Sequence, residues 1–101
     1  MKFLIVTAVA DFREDIIRMF KEAHIDRFSG SEIEGYRNGG SFLLNPSWFM
    51  GQGKSTESEM YFSFTEDQHI DDLFERLKRY NQELETDNPV RAVVVPIEKY
   101  I

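Results

Sequence analysis

The chain contains no cysteine. That excludes disulfides, thiolate metal sites and a cysteine nucleophile, and it fits a reducing compartment. Proline is scarce, with only Pro46, Pro89 and Pro96, and four of the six glycines (Gly39, Gly40, Gly51 and Gly53) fall within residues 38–56. Basic residues are outnumbered by acids, 12 against 18, for a net charge of −6. This argues against nucleic acid as a partner, because phosphate binding needs a concentrated basic patch. The one basic cluster, Arg76, Lys78 and Arg79, reads as the solvated face of a helix. The N-terminal apolar run, Phe3 to Ala10, is eight residues long, far short of the roughly 20 needed to span a bilayer. Ala8-Val9-Ala10 resembles a small-x-small cleavage site, but the run is rich in β-branched residues and leads directly into a capped helix, so it reads as a buried strand. The expectation is a cytoplasmic, soluble protein without membrane insertion.

Core material is plentiful: 42 % of the residues are hydrophobic and nine are Phe. A chain of 101 residues has the commonest domain size and sustains one core without staples, giving a single domain over 1–101. Residues 2–9 (KFLIVTAV) form a continuous apolar run, as in a strand covered on both faces. Asp11 with Glu14 is an acidic capping box that predicts a helix start. Phe12, Ile16, Met19, Phe20 and Ala23 repeat at helical spacing as a buried stripe ending near His24. Residues 27–36 set Phe28, Gly30, Glu32 and Glu34 against Ser29, Ser31, Ile33 and Gly35. Neither set is cleanly apolar, which predicts an edge strand or one partly in an interface. Residues 58–64 alternate strictly, with Met60, Phe62 and Phe64 opposite Glu59, Tyr61 and Ser63, and Met60 is expected in the core. Thr65 and Gln68 form a second capping box. Ile70, Leu73, Phe74, Leu77, Tyr80 and Leu84 predict a helix over about 66–84. A turn at 85–89, a strand at 90–97 and a short tail complete the chain.

The order strand, helix, strand, strand, helix, strand predicts an α+β, ferredoxin-like βαββαβ sandwich, a four-stranded antiparallel sheet with both helices on one face. The other face of the sheet stays uncovered in a monomer. Apolar residues on both sides of the first and last strands therefore predict an oligomer packed through that open face.

Residues 38–56 (NGGSFLLNPSWFMGQGKST) join the second and third strands. Glycines and Pro46 argue against regular structure, yet Phe42, Leu43, Leu44, Trp48, Phe49 and Met50 are large and apolar, and Lys54 is the only charge. Connections this long are functional or disordered, and loops are ordinarily polar. The combination predicts a segment that orders when it docks on a partner; the alternative is that these side chains fold back onto their own domain or onto a neighbouring subunit.

These features are similar to those of the PII-like signalling proteins, the superfamily of the nitrogen regulatory protein PII. The element order agrees, the 38–56 connection matches that family's T-loop in place and length, and Ser29-Gly30-Ser31-Glu32-Ile33-Glu34-Gly35-Tyr36 looks like the family's threonine-x-threonine-glutamate-valine-x-glycine-phenylalanine pattern. The resemblance implies a homotrimer with its sheets at the centre and an effector, usually an adenine nucleotide, held between subunits. It also implies a T-loop that plugs into a membrane transporter or an enzyme. By matching positions Ser29, Gly35 and Tyr36 line the ligand cleft, with Arg91 and Lys99 the nearby cations. Where the family carries a glycine-rich phosphate cradle, residues 83–89 here (ELETDNP) have no glycine and three acids, so a polyphosphate meets repulsion. The family's Arg-x-Arg-Thr-Gly tail is absent, as is the tyrosine that some members uridylylate. The effector's identity is left open, and no cofactor is assigned.

Other constellations are weak. His24 and His69 are the only histidines and read as a helix-end cap and a surface side chain. Met50 reads as part of the apolar loop, and no metal site is assigned. The pairs Asp71-Asp72, Glu32-Glu34 and Glu83-Glu85 read as solvated charge, although Glu32 and Glu34 share one side of their strand. No Ser-His-Asp arrangement, Walker motif or Rossmann fingerprint is present, and the GQGK run at 51–54 follows no strand. The expectation is a non-catalytic regulator. The alternatives are a trimeric divalent-metal binder of the cation-tolerance type and a dimeric α+β-barrel enzyme acting on an aromatic substrate.

Overall fold

The computed structural model describes residues 1–36, 56–84 and 88–101. Its elements are β1 (Lys2–Val9), a 3₁₀ turn (Ala10–Phe12), α1 (Arg13–Glu22), β2 (Ser29–Gly35), β3 (Thr56–Thr65), α2 (Asp67–Glu83) and β4 (Arg91–Pro96). The four strands form one sheet in the order β2-β3-β1-β4 with every neighbouring pair antiparallel. β1 and β2 are thus parallel to each other with β3 between them, as are β3 and β4 with β1 between them. Each of these pairs is joined through a helix, so the fold is the ferredoxin-like α+β sandwich that the element order predicts.

Register fixes what each strand offers to each face, since directly opposed residues point the same way. Leu4, Val6 and Ala8 of β1 are buried and meet Ser63, Tyr61 and Glu59 of β3, and Leu4 and Val6 meet Val94 and Ala92 of β4. These residues face the helices. Ile16, Met19 and Phe20 of α1 and Leu73 and Leu77 of α2 close the core over them. The predicted helical stripes are therefore the buried ones. For β3 the expectation is overturned. Met60 and Phe62 are only half-buried and Phe64 is 57 % exposed, because all three stand on the open side of the sheet. The side under the helices is the one carrying Glu59, Tyr61 and Ser63, and Met60 is not a core residue.

Both predicted capping boxes are also corrected. The chain leaves β1 through the 3₁₀ turn, so α1 starts after Asp11, with Phe12 at its N-cap and no side-chain cap bond. Glu14 and Asp15 still lie in its first turn, where acids favour the helix dipole. Thr65 belongs to β3, opposite Lys2, which leaves Glu66 as the N-cap of α2, again with no side-chain cap bond. The end of α1 is chemically definite. His24 sits at φ 62°, its N–H bonds to the Lys21 carbonyl at 3.0 Å, and the Ile25 N–H bonds to the Phe20 carbonyl at 2.9 Å. This is a Schellman closure, with histidine at the left-handed position that glycine usually takes. At the far end of α2, the Asn81 side chain donates to the Val90 carbonyl and accepts from the Val90 N–H, both at 2.9 Å. An amide thereby imitates one rung of a β-ladder and sets the entry into β4.

Candidate functional site

Two surfaces are candidates for a functional site. The first is the open face of the sheet. Phe3, Ile5 and Val9 of β1, Met60, Phe62 and Phe64 of β3, Val93 and Val95 of β4 and Ile33 of β2 share it by register. Phe3 stacks on Phe64 at 5.0 Å between ring centroids and tilts against Phe62 at 5.9 Å. Val95 is 44 % exposed. An aromatic cluster turned outward on an acidic chain is the kind of patch that marks an interface.

The second surface lies on the helix side of the β2–β3 edge, at the start of α1. There Gly30, Glu32 and Glu34 of β2 pair with Tyr61, Glu59 and Glu57 of β3. Two like-charged pairs, Glu32 with Glu59 and Glu34 with Glu57, therefore stand directly opposed, an arrangement that destabilises a sheet. Of the described residues, one cation is placed among them. Arg13, on the first turn of α1, donates from Nε to both carboxylate oxygens of Glu59, at 2.9 and 2.7 Å, and from Nη2 to Oε2. Its guanidinium lies 4.0 Å from Glu32. Tyr61 donates its hydroxyl proton to Glu59 Oε1 at 2.5 Å. The Glu59 side chain is only 7 % exposed, and these donors hold its carboxyl below the usual carboxylate range. The Arg13 hydrogen bond is the main cause and burial opposes it. Burial, reinforced by the bond to Glu59, pushes the Tyr61 phenol well up.

Arg13 separates two hollows. One, of about 400 Å³, is lined by Ala10, Arg13, Glu32, Glu34, Glu57 and Glu59 among others, and is strongly acidic. The other, of about 280 Å³, has an apolar wall of Ile17, Phe28, Gly30 and Tyr61. Gly30 keeps it open, since a Cβ there would meet the Tyr61 ring at 3.3 Å. Neither Arg13 nor Glu59 was picked out by sequence reasoning. They lie 46 residues apart, and the only hint was that Glu59 shares the phase of Tyr61 and Ser63.

The residues predicted to bind a ligand are not gathered within one chain. Ser29 and Gly35 stand at opposite ends of β2, on its open-face side. Tyr36 follows β2, is exposed, and gives its hydroxyl proton to Glu34. Arg91 begins β4, at the other edge of the sheet, and Lys99 lies in the exposed C-terminal tail. Any site shared by these five needs more than one subunit. The predicted docking residues Phe42, Leu43, Leu44, Trp48, Phe49 and Met50 lie outside the described residues.

His24 and His69 line a third hollow, of about 310 Å³, with Asp26 and Glu66. His69 Nδ1–H donates to the Ala23 carbonyl at 3.2 Å, tying α2 to the end of α1. Among the described residues no three His, Asp or Glu side chains group as a metal-binding set. No described helix is long and apolar enough to cross a membrane. Neither a scan against protein-family models nor a search of curated proteins returns a match for this chain.

Proposed function

We propose that the chain is a non-catalytic, PII-like regulatory subunit acting in the cytoplasm. In this reading it forms a homotrimer through its open sheet faces. It presents the 38–56 segment to a protein partner, a membrane transporter or an enzyme. A small ligand held between subunits, near Ser29, Gly35, Tyr36, Arg91 and Lys99, controls the segment. The observation that carries this reading is the apolar outer face of the sheet. Its apolar part spans β3, β1 and β4, three strands about 4.8 Å apart and some six residues long, or roughly 300 Å², at the lower end of the largest apolar patches on soluble monomers, which are often functional. Six large apolar side chains between glycine pairs at 38–56 support the docking role, because a connection between strands is ordinarily polar and these offer apolar contact area.

The decisive measurement is mass in dilute solution. Light scattering should give about three times the 11.9 kDa of one chain. Phe62→Glu with Phe64→Glu, on the open face, should give a folded monomer. Trp48→Ala with Phe49→Ala should leave the trimer intact while abolishing partner binding. A monomeric wild-type chain would end the reading, and a stable dimer with an internal cavity would favour the α+β-barrel alternative. A thermal-shift screen with adenine nucleotides, bicarbonate and divalent metals identifies the effector class, since only a ligand that prefers the native state raises its melting point.

A further inference from the structure

We infer that the outer edge of β2 accepts an extended peptide strand carrying an apolar residue and, two residues away on the same side, a lysine or arginine. The inference stands apart from the open-face contact proposed above, but it needs the backbone edge of Ser29–Gly35 free where the proposed ligand cleft brings a second subunit near Ser29 and Gly35, and the last outcome of the test separates the two. β2 is the terminal strand of the sheet, and among the described residues β3 is its only strand neighbour. An edge of this kind is a template for backbone pairing unless something covers or blunts it. Of the usual blunting devices, proline and lysine are absent from Ser29–Gly35, and its charges, Glu32 and Glu34, oppose an acidic strand but not a cationic one.

The charge on the helix side decides what kind of strand fits. An added strand places alternate side chains beside Gly30, Glu32 and Glu34. There the two hollows lie two residues apart: the apolar one over Gly30, walled by Ile17, Phe28 and Tyr61, and the acidic one beyond Arg13, walled by Glu32, Glu34 and Glu57. Such paired pockets for alternate side chains give strand addition its specificity, while backbone hydrogen bonds give its affinity. A lysine or arginine stem is long enough to cross β2 and put its charge among carboxylates where, of the described residues, Arg13 is the one cation. Glu32 is 88 % exposed at its side chain and only loosely approached by Arg13, at 4.0 Å. Among the described residues no ion pair joins a cation to either member of the opposed Glu34–Glu57 pair. A cationic strand relieves this repulsion and an acidic one adds to it. On the open side the same strand would lie beside Ser31 and Ile33 and needs only small or β-branched residues.

The test uses the full chain and a blocked heptapeptide, acetyl-Thr-Lys-Thr-Leu-Thr-Lys-Thr-amide, which presents leucine two residues from lysine whichever way it runs. Saturable binding should perturb the backbone amides of Ser29–Gly35 in heteronuclear NMR spectra. Glu32→Lys with Glu34→Lys, two exposed changes, should weaken binding tenfold or more and leave the melting temperature within a few degrees. Gly30→Val, which fills the apolar hollow, should weaken it without changing charge. A probe N-methylated on alternate amides keeps its charge and should not bind. Equal binding of the N-methylated probe would reduce the effect to charge adhesion and overturn the inference. So would amide changes confined elsewhere, no binding at millimolar probe, or an assembly that holds the β2 edge against a second copy and comes apart on the Glu32→Lys and Glu34→Lys exchange.

Discussion

Replacing Arg13 with methionine isolates the energetics of the buried carboxylate. The substitution keeps most of the aliphatic stem and removes the charge. Glu59 then retains the Tyr61 hydroxyl as a donor and loses both Nε contacts and the Nη2 contact. Two limits bracket the cost. An exposed ion pair is worth at most about 1 kcal/mol, whereas orphaning one member of a fully buried pair costs about 3–5 kcal/mol. Glu59 belongs near the second limit by its own burial. The arginine side chain is half exposed, however, and hollows on either side admit water, so about 2 kcal/mol is expected. For a domain of this size that lowers the melting temperature by roughly 10 °C. The loss has a pH signature. The folded-state carboxyl of Glu59 lies below its ordinary value of 4.5, so its contribution is present above that value and disappears as pH falls through the folded one. Thermal melts of wild type and Arg13→Met should therefore differ at pH 7 and converge on acidification. Glu59→Gln in the Arg13→Met background should restore much of the loss, because a neutral amide still accepts from Tyr61. A deficit that stays the same from pH 7 to pH 4, or one below 0.5 kcal/mol, would show that Glu59 is hydrated and refute this reasoning.

Further outcomes follow from single contacts. Tyr80 donates to Asp15 Oδ2 at 2.5 Å, and burial with that bond pushes its phenol up to about 12. The folded state therefore holds the proton more tightly and stability falls between about pH 10 and 12; Tyr80→Phe should make that alkaline slope shallower in pH-dependent melts, with the raised Tyr61 phenol supplying the remainder. Asn81→Ala strands the N–H and carbonyl of buried Val90 and should cost about 1–3 kcal/mol by chemical denaturation. His24→Gly relieves a left-handed residue at φ 62° and should raise stability by about 0.5–1 kcal/mol, or by a few degrees of melting temperature. Leu73→Ala, at a fully buried position, should cost about 2–5 kcal/mol.

The fold was legible because its helices announce themselves. Ile16, Met19 and Phe20, and Ile70, Leu73 and Leu77, recur at a spacing only a helix brings to one side, and all are buried. The phase of β3 was not legible. β1 is apolar on both faces, with Leu4, Val6 and Ala8 against Phe3, Ile5 and Val9, so nothing in the chain states which face of β3 meets the helices. Tyr61 then serves as core in place of Phe62. The helix starts were misplaced by local rules alone: Asp11 and Thr65 are good capping residues, but a 3₁₀ turn and a strand rung claim them first. Of the candidate site, the β2 edge was foreseen from its mixed alternation. The Arg13–Glu59 pair was not, because a salt bridge between residues 46 apart leaves no periodic trace.

The inverted β3 strand carries a cost in how the sheet assembles. Its two faces are offset by one residue, and the face turned outward is the greasier of the two. Sliding the pairing by one position would tuck Met60, Phe62 and Phe64 under the helices, and burial alone would reward that mistake. What the mistake forfeits is the clasp between Arg13 and Glu59, because a slipped strand carries the carboxylate to the far side. The ion pair is therefore one of several contacts that hold the observed alignment, since a slipped strand would also carry the Tyr61 ring away from Phe20 and Phe28 and the Ser63 hydroxyl away from the Arg27 carbonyl.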